Sequence, residues 1–350
     1  MEITMFFADK IIYKVLLLFT MMIPGIIIKK CSLAPEGFGK GLSNLVLYIA
    51  QPALVFLAYL KDYDSEILIN SVYVFLLSIV AHGIFTAAAI PAFRKAPDNA
   101  RRMLSFATVF SNAAFMGIPL ISAVLEKDFP GATLYASIYN ITFNLFLWTL
   151  GVFFCTEGRD LDNNSVPDHV DEIKNKMSFK KALLHPITIA AVLGLITFCF
   201  SLHIYVPTLL KETIGLPAEL VDSLSLLVTE SLGLLKGLVE PLSMLVIGLR
   251  LADMEFKGCF KDKHLYVFLG LRHIALPLLM VGIIKLLGLI GLAIHPAVSA
   301  VVVIMAAAPA ATSATMFAEM YSCDSVYVSR AVTISTLLSV ITMPLITLLL

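Results

Sequence analysis

The sequence predicts an all-α polytopic membrane protein. Ten transmembrane helices are expected as a 5+5 inverted repeat, with broken, crossing helices at spans 4 and 9. Three observations predict this. First, of 350 residues 59% are hydrophobic and only 14% charged, against roughly a quarter charged in a soluble domain. Second, mean hydropathy is +0.91. Third, matched residues recur at a nearly constant offset along the chain. So few polar residues cannot coat the apolar ones in water, so lipid is the expected solvent. A soluble enzyme, a disordered chain and a nucleic-acid binder are disfavoured on the same ground, the last also because 25 basic and 25 acidic residues balance.

A hydrocarbon core of about 30 Å takes about 20 apolar residues per helix. The first apolar run, 11–28, follows Met1-Glu2-Ile3-Thr4 rather than a basic leader, with no A-x-A site after it. It is expected to be a retained span. Runs 41–60, 67–93, 103–125 and 131–155 complete a first five-helix repeat over 1–155. Segment 156–181 is polar, with Asp160, Asp162, Asp168, Asp171, Glu172, Lys174, Lys176, Lys180 and Lys181, and is expected to be a solvated linker. The second repeat, 182–350, holds runs 182–203, 231–251, 264–287, 296–319 and 326–350. Because 217–251 is too long for one span, 218–229 is expected to lie at the surface as an amphipathic stretch, with the span starting near Ser231.

Seventeen Lys and Arg fall on the side of the long loop and six on the other. The loop is therefore expected in the cytoplasm and both termini outside, in a plasma or cell membrane. Cys31, Cys155, Cys199, Cys259 and Cys323 show no C-x-x-C and no metal spacing, so free thiols are expected. Asn163-Asn164-Ser165 reads as a glycosylation sequon, but on this topology it faces the cytosol.

Gln51-Pro52 and Glu240-Pro241 are 189 residues apart, His82 and Arg272 190, Pro119 and Pro309 190, and Tyr135-Ala136-Ser137 and Tyr327-Val328-Ser329 192. These pairs fall on spans 2/7, 3/8, 4/9 and 5/10. Five spans per half is an odd number, so the second half enters from the opposite side. Such inverted repeats are the usual basis of alternating access.

Spans 4 and 9 are the least helix-like. In span 4, Gly117 and Pro119 weaken a regular helix just after Asn112. In span 9, Pro309 is followed by the hydroxyls of Thr312, Ser313 and Thr315. Breaks at membrane depth would offer half-helix N–H groups to an anion and carbonyls to a cation. Asn112, Asn140 and Asn144 are candidate binding residues, the last two one turn apart on one face; the bland alternative is helix glue. Gln51 and Glu240 precede equivalent prolines, and Glu240 either titrates or pairs with Lys236. Arg272 either binds an anionic substrate or caps broken-helix carbonyls and pairs with Glu240. His82 is either a proton relay or a packed histidine. Gly233 and Gly237 form a G-x-x-x-G that suggests a close helix contact. No catalytic, phosphate-loop, dinucleotide or metal motif is found, so no enzyme activity, cofactor or metal is expected.

The chain resembles the auxin efflux carrier family of bacterial and plant transporters over most of its length. The resemblance rests on Ser111-Asn112-x-x-Phe115-Met116-Gly117-Ile118-Pro119-Leu120, with support from Glu240-Pro241-Leu242-Ser243-Met244-Leu245-x-x-Gly248, from Arg272 and Pro277, and from Ala308-Pro309 with Phe317-Ala318-x-x-Tyr321. It implies ten helices, a scaffold and a transport domain, and a substrate site where spans 4 and 9 cross, as in sodium/proton antiporters and bile-acid carriers. It implies transport of small organic anions such as auxins or dicarboxylates, and a possible homodimer. By motif match Asn112, Gly117, Pro119 and Pro309 carry over as crossover residues. Plant PIN-type members have a further proline where this chain has Ala314, so the span 9 break is expected either to be milder or to centre on Pro309. The expectation is an organic-anion efflux carrier. The alternatives are a sodium- or proton-coupled exchanger or symporter, or a non-transporting sensor on a carrier fold. Sodium-coupled relatives usually place acids at the crossing; here Glu126 and Glu319 lie only at span ends.

Overall fold

Several helices in this chain start where a side chain or a proline relieves the unpaired N–H groups of a first turn. Asp64 accepts from Glu66 N–H at 2.8 Å, Asp262 from His264 at 2.9 Å and Asp324 from Tyr327 at 2.8 Å. Pro186 and Pro296 open two others, where the N–H is not needed. The computed structural model describes residues 12–13, 15–156, 183–252, 262–321 and 323–349. The charged linker with its sequon, Cys259, and the side chain of Glu319 lie outside them. In chain order the helices are α1 Met22–Lys30, α2 Phe38–Ala58, α3 Ser65–Phe93, α4 Asp98–Val109, α5 Ala113–Val124 and α6 Ala132–Thr156. There follow α7 Pro186–Cys199, α8 Leu202–Glu212, α9 Ala218–Ala252, α10 Lys263–Leu289, α11 Pro296–Ala307, α12 Ser313–Met320 and α13 Ser325–Thr347.

Among the described residues six helices, α2, α3, α6, α9, α10 and α13, are long and apolar enough to cross a membrane, and the α7–α8 pair, bent by 65°, makes a seventh if it is one span. Their outward faces expose Ile69, Leu76, Leu193, Leu227, Leu279 and Ile341. Such side chains at the surface suit lipid rather than water. The protein is an integral membrane protein.

Three helices contain a wide π-type turn immediately before an X-Pro pair. Val46–Ala50 precedes Gln51-Pro52, Ala113–Gly117 precedes Ile118-Pro119, and Leu271–Ala275 precedes Leu276-Pro277. The carbonyl four residues before each proline falls inside the wide turn. Proline can neither donate to that carbonyl nor approach it, and widening the turn resolves both problems.

Two expectations are corrected. Residues 218–229 are not a separate surface stretch, since they are continuous with the span in α9. The interruption lies at Leu238, because Pro241 would clash with the carbonyl of Gly237, and nothing near Ser231 disfavours helix. The G-x-x-x-G is not a close contact either. An added Cβ at Gly233 or Gly237 would meet nothing within 4 Å, whereas one at Gly248 would lie 2.1 Å from the Met22 carbonyl oxygen and one at Gly25 2.4 Å from that of Leu245. Helices α1 and α9 thus touch backbone to backbone. In addition, α8 continues past span 6 after a left-handed Ser201, at φ 47°, which the sequence reading missed.

Helices α1, α2, α7 and α9 pack on one another, and α3, α4, α5, α6, α10, α11, α12 and α13 form a second group. Polar bonds cross between the groups. Tyr59 and Ser137 hydroxyls lie 2.7 Å apart, Gln51 Nε2 donates to the Ala114 carbonyl, and Arg250 donates to the Thr312 carbonyl. Among the described residues, Cys31, Cys155, Cys199 and Cys323 form no disulfide with one another.

Candidate functional site

Helix α4 ends at Val109, and the chain runs extended from Phe110 (φ −96°, ψ 114°) before helix resumes at Ala113. Helix α11 ends at Ala307, and Ala308 turns the chain outward (φ −58°, ψ 146°) until α12 begins at Ser313. The two gaps pair antiparallel through Ser111 and Ala310. Asn112 N–H donates to the Pro309 carbonyl at 2.7 Å, and Ala311 N–H to that of Phe110 at 2.8 Å. Buried backbone groups must find partners, and each gap supplies the other's. Pro119 and Pro309 do not occupy like positions. Pro309 lies in its extended segment, while Pro119 lies inside α5.

The helix C-termini meet one guanidinium. Arg272, fully buried, donates from Nε to the Ala308 carbonyl at 3.0 Å, from Nη1 to Thr108 at 3.0 Å, and from Nη2 to Ala306 at 3.1 Å and Ala308 at 2.6 Å. Of its two sequence readings, the carbonyl cap is the one observed. The charge also opposes the negative ends of two helix dipoles, and it lies 5.5 Å from the Phe85 ring centroid.

The N-terminal ends are different. Asn112 precedes α5, yet its side chain makes no cap bond, and its Nδ2 is buried without a partner. The hydroxyls of Ser111, Thr312 and Ser313 are likewise buried and unpartnered. Leaving such atoms unpaired costs about 1–3 kcal/mol each, and these four lie together at two helix N-termini. Asn140 and Asn144 are buried on α6, which packs against α11 and the turn Ala113–Gly117. Asn140 Oδ1 and Asn144 Nδ2 also lack partners. Gly117 leaves room for Met305, since a Cβ there would lie 2.5 Å from Met305 Sδ and the methionine side chain would have to move.

The remaining candidates are more dispersed. Gln51 fastens α2 to the Ala113–Gly117 turn. Glu240 is half-buried at the start of Val239–Ala252, a stretch that packs on that turn. His82 is a packed ring, with Nδ1 2.7 Å from the Ser78 carbonyl and its face stacked on Phe146 at 5.0 Å, beside Tyr139 and Phe143. Sequence reasoning missed His273. Its Nδ1 lies 2.9 Å from Thr342 Oγ1 and its Nε2 2.8 Å from Ser335 Oγ, which in turn accepts from Ala310 N–H at 2.9 Å. The signal was there as hydroxyls at Ser335, Ser339 and Thr342, one stripe on an apolar helix.

A cavity of about 510 Å³ lies elsewhere, at the starts of α4, α10 and α13, lined by Pro97, Asp262, His264, Asp324 and Tyr327. There Tyr327 donates to Asp262 Oδ2 at 2.5 Å and His264 Nδ1 lies 3.0 Å from Oδ1. Burial pushes the Asp262 carboxyl up, but the bonds from Tyr327 and His264 outweigh it and hold the group below its usual range. A depressed carboxyl contributes stability above its unfolded pKa, near 4, and loses it as pH falls through the folded value. Tyr327→Phe should therefore lower the unfolding temperature at neutral pH, and the gap from wild type should narrow as pH drops below about 4. A gap that stays constant well below that pH would show that Tyr327 does not act through Asp262.

A family model described as a membrane transport protein matches residues 10–347. No curated protein matches the chain.

Proposed function

This chain belongs to the membrane transport protein family, in which the auxin efflux carriers fall, and we propose that it carries a small organic anion out of the cell by alternating access. In this reading α4–α5 and α11–α12 are single broken spans, 4 and 9, of a ten-span inverted repeat. The substrate is an auxin-like monocarboxylate or a dicarboxylate, and the loop between the halves is cytoplasmic. One observation carries the reading: the unpartnered polar atoms of Asn112, Thr312 and Ser313, collected where α5 and α12 begin. Helix N-termini present N–H groups and partial positive charge, which suit a carboxylate. The pairing of the two gaps supports the crossing, and the polar bonds between the two helix groups support a site that lies between bodies able to shift.

The test is thermal unfolding of purified protein with indole-3-acetate and with malate, with and without sodium, at acidic and neutral pH. A ligand of the native state stabilises it by mass action, by about 2.7 kcal/mol at a hundredfold excess over Kd, and so raises the midpoint. Asn112→Ala should remove that shift and cut counterflow in proteoliposomes by about tenfold or more, equivalent to losing at least one good hydrogen bond, while the unliganded midpoint stays near wild type. Counterflow of unchanged affinity in the variant would show that the site lies elsewhere.

A further inference from the structure

The candidate site as built so far is neutral. Asn112, Thr312 and Ser313 carry no charge, and Arg272 is committed to the Thr108, Ala306 and Ala308 carbonyls. A carboxylate drawn from water into a buried site without an opposite charge pays several kcal/mol. A second guanidinium reaches this place. Arg250, half-buried in the last turn of α9, donates from Nη1 to the Thr312 carbonyl at 2.9 Å. Thr312 is the residue whose own hydroxyl is buried without a partner, and it stands at the start of α12.

We propose that Arg250 is the charge-recognising residue of the substrate site, pairing with the carboxylate of a small organic acid held by Asn112, Thr312 and Ser313. This rests on the carrier reading above and adds the residue that selects for an anion. A guanidinium stays charged at any working pH and presents its donors as a planar fork that fits a carboxylate edge. Its origin also matters. Arg250 comes from the α1, α2, α7 and α9 group, while Thr312 belongs with α11–α13. A bound acid would then be gripped from both groups at once, so charge recognition is made dependent on their relative position.

The experiment compares wild type, Arg250→Gln and Arg250→Lys by thermal shift and counterflow with indole-3-acetate and malate. Glutamine keeps an N–H donor for the Thr312 carbonyl but removes the charge, and lysine keeps the charge. The expected result is an affinity about tenfold to a hundredfold weaker in Arg250→Gln, with Arg250→Lys severalfold tighter than Arg250→Gln. An affinity in Arg250→Gln equal to wild type, or equal losses in both variants, overturns the proposal while leaving the carrier reading in place. If Arg250→Gln fails to fold, an affinity in Arg250→Lys close to wild type supports the charge, and loss of all acid binding in a folded Arg250→Lys overturns it. No shift and no flux with either acid in the wild type overturns the carrier reading and this proposal with it.

Discussion

Arg272→Met is expected to yield little or no folded protein. The guanidinium donates four bonds to three carbonyls on two helix ends, all shut away from solvent. Hydrogen bonds to charged groups contribute about 1.5–3 kcal/mol each, and the methionine would leave every one of those carbonyls unpaired. The losses are not additive, but a net cost of about 4–5 kcal/mol is a large share of a total stability of about 5–15 kcal/mol. Arg272→Lys should recover part of it, because one ammonium cannot reach both Thr108 and Ala306 with the geometry of a fork. Monodisperse yield in detergent and the unfolding midpoint give the answer. A midpoint in Arg272→Met close to that of wild type would mean that the two helix ends are held by something other than this side chain.

The second large effect is expected at the contact between α1 and α9. In Gly248→Val the new Cβ would sit 2.1 Å from the Met22 carbonyl oxygen and 2.9 Å from its carbon. Both atoms are backbone, so no side chain can swing aside, and the two helices must separate. Overpacking costs about 1–3 kcal/mol in ordinary cores and more where the neighbour is rigid. Gly25→Ala should act in the same direction. Gly233→Ala is the contrasting case, since its Cβ meets nothing within 4 Å; gaining helix propensity, it should be neutral or stabilising by up to about 1 kcal/mol. Equal behaviour of the two sites in a thermal scan would contradict the contact.

Six of the ten apolar runs of the sequence coincide with helices long and apolar enough to cross a membrane, and a seventh with a bent pair, because lipid demands long apolar stretches and little else. Of the candidate site, Asn112 could be read from the sequence, as a polar residue among small ones in mid-span. The details could not. The sequence placed the weakness at Gly117 and Pro119, yet the chain leaves helix at Phe110, and the proline is accommodated by a wide turn instead. A proline's missing N–H can be absorbed by a local change of pitch, so its presence says that something gives but not where. Arg272 was left between two roles because only the fold brings Thr108 within 3.0 Å of it across 164 residues. His273 stood beside it unnoticed, since its partners come from another helix, 62 and 69 residues on. The two close-packed glycines lack any shared motif, being separated by most of the chain, whereas the one visible glycine motif faces open space.

That separation has a consequence for biosynthesis. The groove at Gly25 is filled by a segment made about 220 residues later. At ribosomal speeds of about 5–20 residues per second the first helix waits roughly ten to forty-five seconds for its partner. During that interval it resides in the bilayer or at the translocon with its glycine notch covered by lipid or by the insertion machinery. A nascent chain released before Gly248 emerges would leave the first helix without its mate, exposed to quality-control proteases. The order of synthesis thus makes the integrity of the amino-terminal helix a late event, decided only after most of the protein is already in the membrane.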